Sequence, residues 1–360
     1  MLELGIDEIT LILRPSYSYK SLLSPLDWQD AAESIRTTFE DKADFIEIFG
    51  DCRPTCEVAR GYTTGFTYGE HSFYICIAYH DSRMDMGVAV KFSAQAFAYY
   101  CDASGLKAYS FLQKIQADIY TLRLSRIDLV ADYIDLDLNV TDIFYDYSNQ
   151  KIGSFRRQIA TDTKKVSYTK YTYKTRCFMK ENEIGTIYFG SSKSNSELRI
   201  YDKKTEQLDR FGVYYEKALN CDSWVRFEAV FRDTYAHQIT DSLLSIKNDD
   251  EFASLIADSI LQKYSFLYLD NNKPIKETEF TKELIDSIVN NSFILTSPKP
   301  MDYEIVKSLQ YLFLGSGMVT TLLKVKEIWG KDASDNLLDF IKEYIDEVEP
   351  KSYRQRHIPV

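Results

Sequence analysis

Two hydrophobic periods, and the point at which one gives way to the other, constrain this chain more than any single residue. Up to about residue 234, short runs of β-branched and aromatic residues alternate apolar with polar and are interleaved with stretches of helical spacing. Beyond that point Phe252, Leu255, Ile256 and Ile260, and later Leu337, Phe340, Ile341, Tyr344 and Ile345, recur at helical spacing. The reading is an α+β chain with an all-helical C-terminal part, and 360 residues is long enough for two packed units. We expect one domain over 1–235 and a helical one over 236–360, punctuated by Ser297-Pro298-Lys299-Pro300.

Within the first part, strands are expected at 6–13, 44–49, 58–68, 72–80, 86–92, 121–135 and 224–231. A strand pair is expected near 165–180, and a hairpin over 186–190 and 197–201. Helices are expected after Asp27, at 93–100, 108–119 and 141–148, and over 203–211 with Asp202 as its cap.

Several function classes are excluded early. No run approaches the ~20 apolar residues of a bilayer span, and residues 1–8 lack a basic segment followed by a long apolar one, so a cytoplasmic protein without a membrane partner is expected. The six cysteines read as reduced thiols, and no two of the four histidines lie two or four residues apart as a local metal pair would. Phosphate-binding, dinucleotide-binding and hydrolase-elbow glycine motifs are absent. The net charge of −11 argues against nonspecific coating of nucleic acid, yet residues 151–180 hold nine basic residues against one acid.

Four constellations could carry chemistry. On a strand through 125–135, Asp128 and Asp132 share one face, and either a hard divalent cation or arginine partners would relieve their repulsion. In 224–232, Glu228 shares a face with Arg226 and could supply a further carboxylate or form a plain Arg–Glu pair. In 197–206, Arg199 and Tyr201 share a face, and Lys203 opens a helix beside them, a place that welcomes phosphate. With 27 tyrosines in the chain, Tyr201 alone is a weak signal. Finally, Lys170, Tyr171, Tyr173, Lys174 and Arg176 interleave aromatic and cationic side chains as a single-strand groove does, although a solvated strand pair has the same pattern.

The motifs MGVAVKFSAQAF (86–97), SRIDLVADY (125–133), TIYFGSSKSNSELRIYDKKTEQ (186–207) and WVRFEAVFRD (224–233), in that order, resemble the replication initiation factor family. That family groups rolling-circle plasmid initiators with MobT-type relaxases. The resemblance covers about residues 5–235 and implies a curved, mostly antiparallel sheet with flanking helices. It implies that Tyr201 nicks one strand of origin DNA, single-stranded or melted from a hairpin, through a 5′-phosphotyrosyl intermediate and rejoins it. Arg199 and Lys203 would steady the phosphate, and Mg²⁺ or Mn²⁺ would sit on Asp128 and Glu228, with Asp132 as a further candidate. A host helicase and polymerase follow as partners, and a homodimer is compatible with the group. Two rivals remain at this stage: a catalytically silent DNA-binding copy-control protein of the same fold, and an unrelated metal-dependent phosphotransferase. A chelator separates the first rival from a nickase, because a silent binder keeps its DNA unchanged.

Overall fold

The computed structural model describes residues 1–20, 27–160, 165–180, 183–289, 294–296 and 317–347. Its elements follow in chain order. β1 (Leu2–Pro15) leads through α1 (Tyr17–Lys20) to α2 (Trp28–Lys42) and α3 (Phe45–Phe49). Next come β2 (Cys52–Pro54), β3 (Thr64–Tyr68), β4 (Ile75–Tyr79), β5 (Val88–Phe92), α4 (Ala94–Ser104) and α5 (Ala108–Lys114). The long β6 (Tyr120–Ile134) is followed by α6 (Val140–Ser148), β7 (Ile152–Ile159), β8 (Val166–Lys170) and β9 (Thr175–Lys180). The hairpin β10 (Glu183–Gly190) and β11 (Ser196–Asp202) precedes α7 (Lys203–Arg210), α8 (Tyr215–Leu219) and β12 (Trp224–Arg232). The remainder is α9 (Asp233–Leu243), α10 (Asp249–Lys263), β13 (Ser265–Asp270), β14 (Lys273–Glu277), α11 (Glu279–Asp286), α12 (Met318–Trp329) and α13 (Lys331–Glu347).

Ten strands form one sheet in the order β2-β3-β4-β5-β1-β6-β12-β11-β10-β9, and β14-β13-β7-β8 form a second. Every pairing between these strands is antiparallel, where the family resemblance implied a mostly antiparallel sheet. The central strands are unusual in being buried on both faces: β12 is buried from Trp224 to Phe231. One face is apolar, with Ile127, Leu129 and Ala131 of β6 beside Phe227, Ala229 and Phe231 of β12 and Leu198 and Ile200 of β11, all in the main core. α9 and α10 contribute to that core through Ile239, Leu243, Ile256 and Ile260, which are fully excluded from solvent. The opposite face is charged, and it builds the site described below.

Three expectations need correction. The run at 44–49 is the helix α3, because Phe45 and Phe49, both buried, are four residues apart, and five residues are too few to separate that spacing from alternation. The strands near 165–180 are not a pair with each other: β8 joins β7 in the small sheet, whereas β9 joins β10 in the large one. Among the described residues beyond 235, the chain adds to its helices a β13–β14 hairpin that was not expected, whose turn residues Asn271 and Asn272 both take positive φ (47° and 64°). Because β13 pairs with β7 and α10 fills the core, residues 236–296 belong to the same compact unit as the main sheet; the compact units are Met1–Thr296 and Ser297–Val360. The proline-rich punctuation at 297–300 lies outside the described residues. Among the described residues no helix is long and apolar enough to cross a membrane.

The packing gives a direct test. A chain ended at Thr296 should unfold in one cooperative urea transition followed by circular dichroism. One ended at Tyr235 loses α9, α10 and β13, leaves the sheet's apolar face wet, and should show no cooperative transition. Cooperative unfolding of the shorter chain would contradict this packing.

Candidate active site

The charged face is assembled by strand alternation and cross-strand register. Side chains two apart on a strand share a face, so Arg126 reaches Asp128 along β6, donating Nε–H to Oδ1 at 2.9 Å and Nη2–H to Oδ2 at 2.6 Å. Register places Arg226 of β12 opposite Asp132 of β6, and the guanidinium donates two bonds to that carboxylate at 2.7 Å each. Arg199 of β11 lies opposite Glu228 of β12 and donates to Oε1 at 2.8 Å.

A β-bulge adds two further carboxylates. In the β1–β6 pairing, Ile6 faces Leu129 and Ile9 faces Ile127, so Asp7 and Glu8 together oppose the single residue Asp128. Asp7 accepts from Arg226 Nη1 at 2.5 Å, and Glu8 accepts from Arg126 Nη1 at 2.6 Å. Asp7, Glu8, Glu228, Arg199, Tyr201 and Lys203 then line one cleft of about 510 Å³.

Tyr201 lies at the end of β11, and its phenol donates to Glu228 Oε2 at 3.0 Å. The chain turns there into α7 because the Asp202 carboxylate accepts from the Thr205 backbone N–H at 3.0 Å, as its predicted capping role requires. Lys203, on the first turn, is buried and pairs with Glu206 Oε2 at 2.6 Å; its ammonium is 5.6 Å from the centroid of the Tyr201 ring.

Burial and charge together set the protonation chemistry. Glu228 is pushed up to about 7, first by desolvation and then by Asp7 and Asp128, with Arg199 and Arg226 opposing. The Tyr201 phenol is held well above its ordinary value by burial and by the Glu228 carboxylate. Burial likewise raises Asp128 against the pull of Arg126, and raises Glu8.

The predicted metal set is therefore not assembled as expected. Asp128, Asp132 and Glu228 each face a different arginine, and Asp128 and Asp132 are not among the cleft's lining residues. Among the described residues no three histidine, cysteine or carboxylate side chains converge as a metal group. Alternation and register explain why: the pattern that puts the carboxylates on one face also puts an arginine beside each.

The predicted DNA-binding segment is divided too. Lys170, Tyr171, Lys174 and Arg176 are exposed, and Arg156 stacks its guanidinium 3.5 Å from the centroid of the Tyr171 ring. Tyr173 is instead buried, with its hydroxyl donating to the Lys263 carbonyl and its ring 4.9 Å from that of Tyr264, so it is unavailable to stack on a base. Lys164, one of the nine basic residues of 151–180, lies outside the described residues.

Asp7 and Glu8 escaped the sequence reading, although a signal for them exists. Apolar residues occupy even positions at Leu2, Leu4 and Ile6 and odd ones at Ile9, Leu11 and Leu13, and such a phase shift inside one strand marks a bulge.

The architecture and the site can now be set beside known proteins. A family model described as "Replication initiation factor" matches residues 122–341, more than half of the chain. The chain belongs to the replication initiation factor family. A curated Bacillus subtilis (strain 168) relative, "Putative DNA relaxase NicK", is 31% identical over 153 residues, which cover 36% of this chain and 41% of that protein. The chain thus matches less than half of that relative's length. A solved rolling-circle replication initiator protein from Geobacillus stearothermophilus shares the fold, with a TM-score of 0.54, 16% identity, and coverage of 80% of this chain and 97% of that one. The resemblance read from the four motifs, and the fold it implied, are borne out.

The Arg226–Asp132 pair offers a stability test of the charged face. Arg226→Met should cost about 3–5 kcal/mol in urea denaturation, because it leaves a buried carboxylate unpaired. Arg226→Met together with Asp132→Leu and Asp7→Asn should cost far less, since no carboxylate is then left facing a missing guanidinium. A single substitution costing under about 1 kcal/mol would mean that the pair is not the structural element described.

Proposed function

We propose that the protein nicks and rejoins one strand of origin DNA, with Tyr201 as nucleophile. The observation that carries this reading is the 3.0 Å hydrogen bond from the Tyr201 phenol to Glu228 at the wall of a cleft that also holds Arg199 and Lys203. Membership of the family supports the substrate class.

In this reading the Tyr201 oxygen attacks the scissile phosphorus while the bond from phosphorus to the 3′ oxygen breaks. Glu228 Oε2 receives the phenol proton, and the departing 3′ oxygen takes a proton from solvent water to end as a hydroxyl. The new 5′-phosphotyrosyl link conserves the phosphoester, so the same residues run the step backwards and rejoin the strand without a nucleotide. Arg199, which is partly exposed beside Glu228, offers its free N–H groups to the phosphate oxygens as charge builds on them. Lys203 contributes positive potential from beneath the Tyr201 ring.

The donors on the cleft wall fit a hard divalent cation in one mode. Mg²⁺ commonly takes only one or two carboxylates and completes its shell with water and substrate phosphate. Glu228 and Glu8 line the cleft, where, beyond burial, the Glu228 charge raises Glu8 and the Asp7 charge raises both, whereas Asp128 is not among the lining residues. Glu228 and Glu8 are thus the residues that would hold Mg²⁺ or Mn²⁺, and the ion would supply Lewis-acid polarisation of the scissile phosphate.

DNA reaches the cleft, in this proposal, along Lys170, Tyr171, Lys174 and Arg176, with the cations on phosphates and Tyr171 on a base. Its partners beyond DNA would be a host helicase and polymerase.

Incubation with a nick-spanning origin oligonucleotide and Mn²⁺ should yield a covalent adduct with the wild-type chain and none with Tyr201→Phe. An adduct at wild-type level would contradict the assignment. Chelator should abolish cleavage; unchanged DNA binding with no cleavage under any metal would favour a silent binder. Replacing Lys170, Lys174 and Arg176 by Ala should flatten the salt dependence of single-strand binding by a slope of roughly 2, and an unchanged slope would remove these residues from the interface.

A further inference from the structure

The charged face carries a second tyrosine for which the mechanism above has no use. Tyr188 of β10 lies opposite Arg199 of β11, and Thr186 lies opposite Tyr201, so Tyr188 and Tyr201 are diagonal neighbours on the same face of adjacent strands. Diagonal pairs sit about 7–8 Å apart, near the reach from a phosphate to the base of its own nucleotide. Tyr188 is half-buried and lines the same cleft as Tyr201. On its other flank, register places Arg176 of β9 opposite it, with the guanidinium 4.5 Å from the centroid of the Tyr188 ring.

Arg176 is itself held in place. Its Nη2 donates to the buried carboxylate of Glu197, which also faces Arg232 at 3.8 Å. The ring is therefore backed by a fixed cation. Arg176 also lines a neighbouring cavity of about 700 Å³ together with Lys170 and Tyr171, so the Arg176–Tyr188 pair lies where the two recesses meet. An aromatic face beside a cationic one is the combination on which single-strand binders stack bases. Tyr74, another tyrosine of the cleft, has its hydroxyl engaged with the Glu57 carbonyl at 2.8 Å and belongs to a different part of the wall.

We propose that Tyr188, backed by Arg176, is the shelf on which one nucleobase flanking the scissile phosphate stacks. The pair would fix that nucleotide and so bring its phosphate onto Tyr201. This proposal rests on the strand-nicking reading, and it names the residue that positions the substrate for it. Tyr188 is a positioning residue here; its ring face acts, and its hydroxyl does not.

The test uses the full chain and a fluorescent single-stranded oligonucleotide spanning the nick, with the nick position mapped by the wild-type chain. Binding is measured in a Tyr201→Phe background so that no cleavage intervenes. Moving an abasic substitution along the oligonucleotide should reveal one position beside the nick whose loss weakens binding roughly 5- to 150-fold. Tyr188→Leu should weaken the intact oligonucleotide by the same factor and lose all further sensitivity to that abasic position. Tyr188→Phe should bind like the parent. The proposal is overturned if Tyr188→Leu binds like the parent, if its loss and the abasic loss multiply, or if Tyr188→Phe is as weak as Tyr188→Leu. Should Tyr188→Leu fail to fold, the abasic series on the parent and on Tyr188→Phe decides, and the absence of any single sensitive base overturns the proposal. A wild-type chain that neither binds nor cuts the oligonucleotide overturns the nicking reading itself; one that cuts normally while Tyr188→Leu binds normally overturns this inference alone.

Discussion

Charges removed from water must be paired, and in this protein that requirement governs one whole face of the main sheet. Arg226 is buried between β12 and β6 with Asp132 and Asp7 on its guanidinium, and Arg126 holds Asp128 and Glu8 in the same way. Each arginine binds a strand residue and a bulge residue, so the pairs clamp β1 to the centre of the sheet as well as neutralising it. A one-residue slip of β12 against β6 would turn Arg226 and Glu228 towards the apolar side and Phe227 towards the carboxylates. The register of the central strands is therefore enforced from both faces, by hydrocarbon on one and by ion pairs on the other.

The chemistry proposed for the cleft grows out of the place where this pairing is incomplete. Glu228 has Arg199 on one oxygen and only a neutral phenol on the other, and its pKa is pushed up to about 7, first by burial and then by the Asp7 and Asp128 carboxylates. A carboxylate in that condition can accept a proton, or welcome a cation, at little electrostatic cost. Tyr201 shares its situation, being half-buried at a strand end where the chain turns into α7. The groups proposed to act thus occupy the edge of a structural ion-pair layer, and the layer fixes their geometry.

Much of this was legible in the residues. Alternation along 125–135 and 224–232 placed the carboxylates and arginines on one face, and Asp202 read as the cap of α7 before any contact was known. Alternation says which face a side chain takes, and so places Arg126 beside Asp128 along β6; it does not say which partner stands opposite, and register decided that Asp132 is bound by Arg226 of β12. Tyr173 illustrates the same gap: its place among cations suggested a DNA contact, whereas α10, ninety residues later, buries it through the Lys263 carbonyl. The β13–β14 hairpin was hidden because Asp270-Asn271-Asn272 is a short turn signal inside a stretch otherwise dominated by helical spacing.

The central claim is that this charged face exists to present one particular phenol to a phosphate. It is tested most directly by finding where DNA becomes attached. A suicide oligonucleotide whose short product diffuses away would trap the covalent complex, and tryptic digestion followed by mass spectrometry would locate the nucleotide. The account predicts that it is carried by the peptide Ile200-Tyr201-Asp202-Lys203, released by cleavage after Arg199 and Lys203. Attachment to Tyr188, to any other residue, or to none would contradict it.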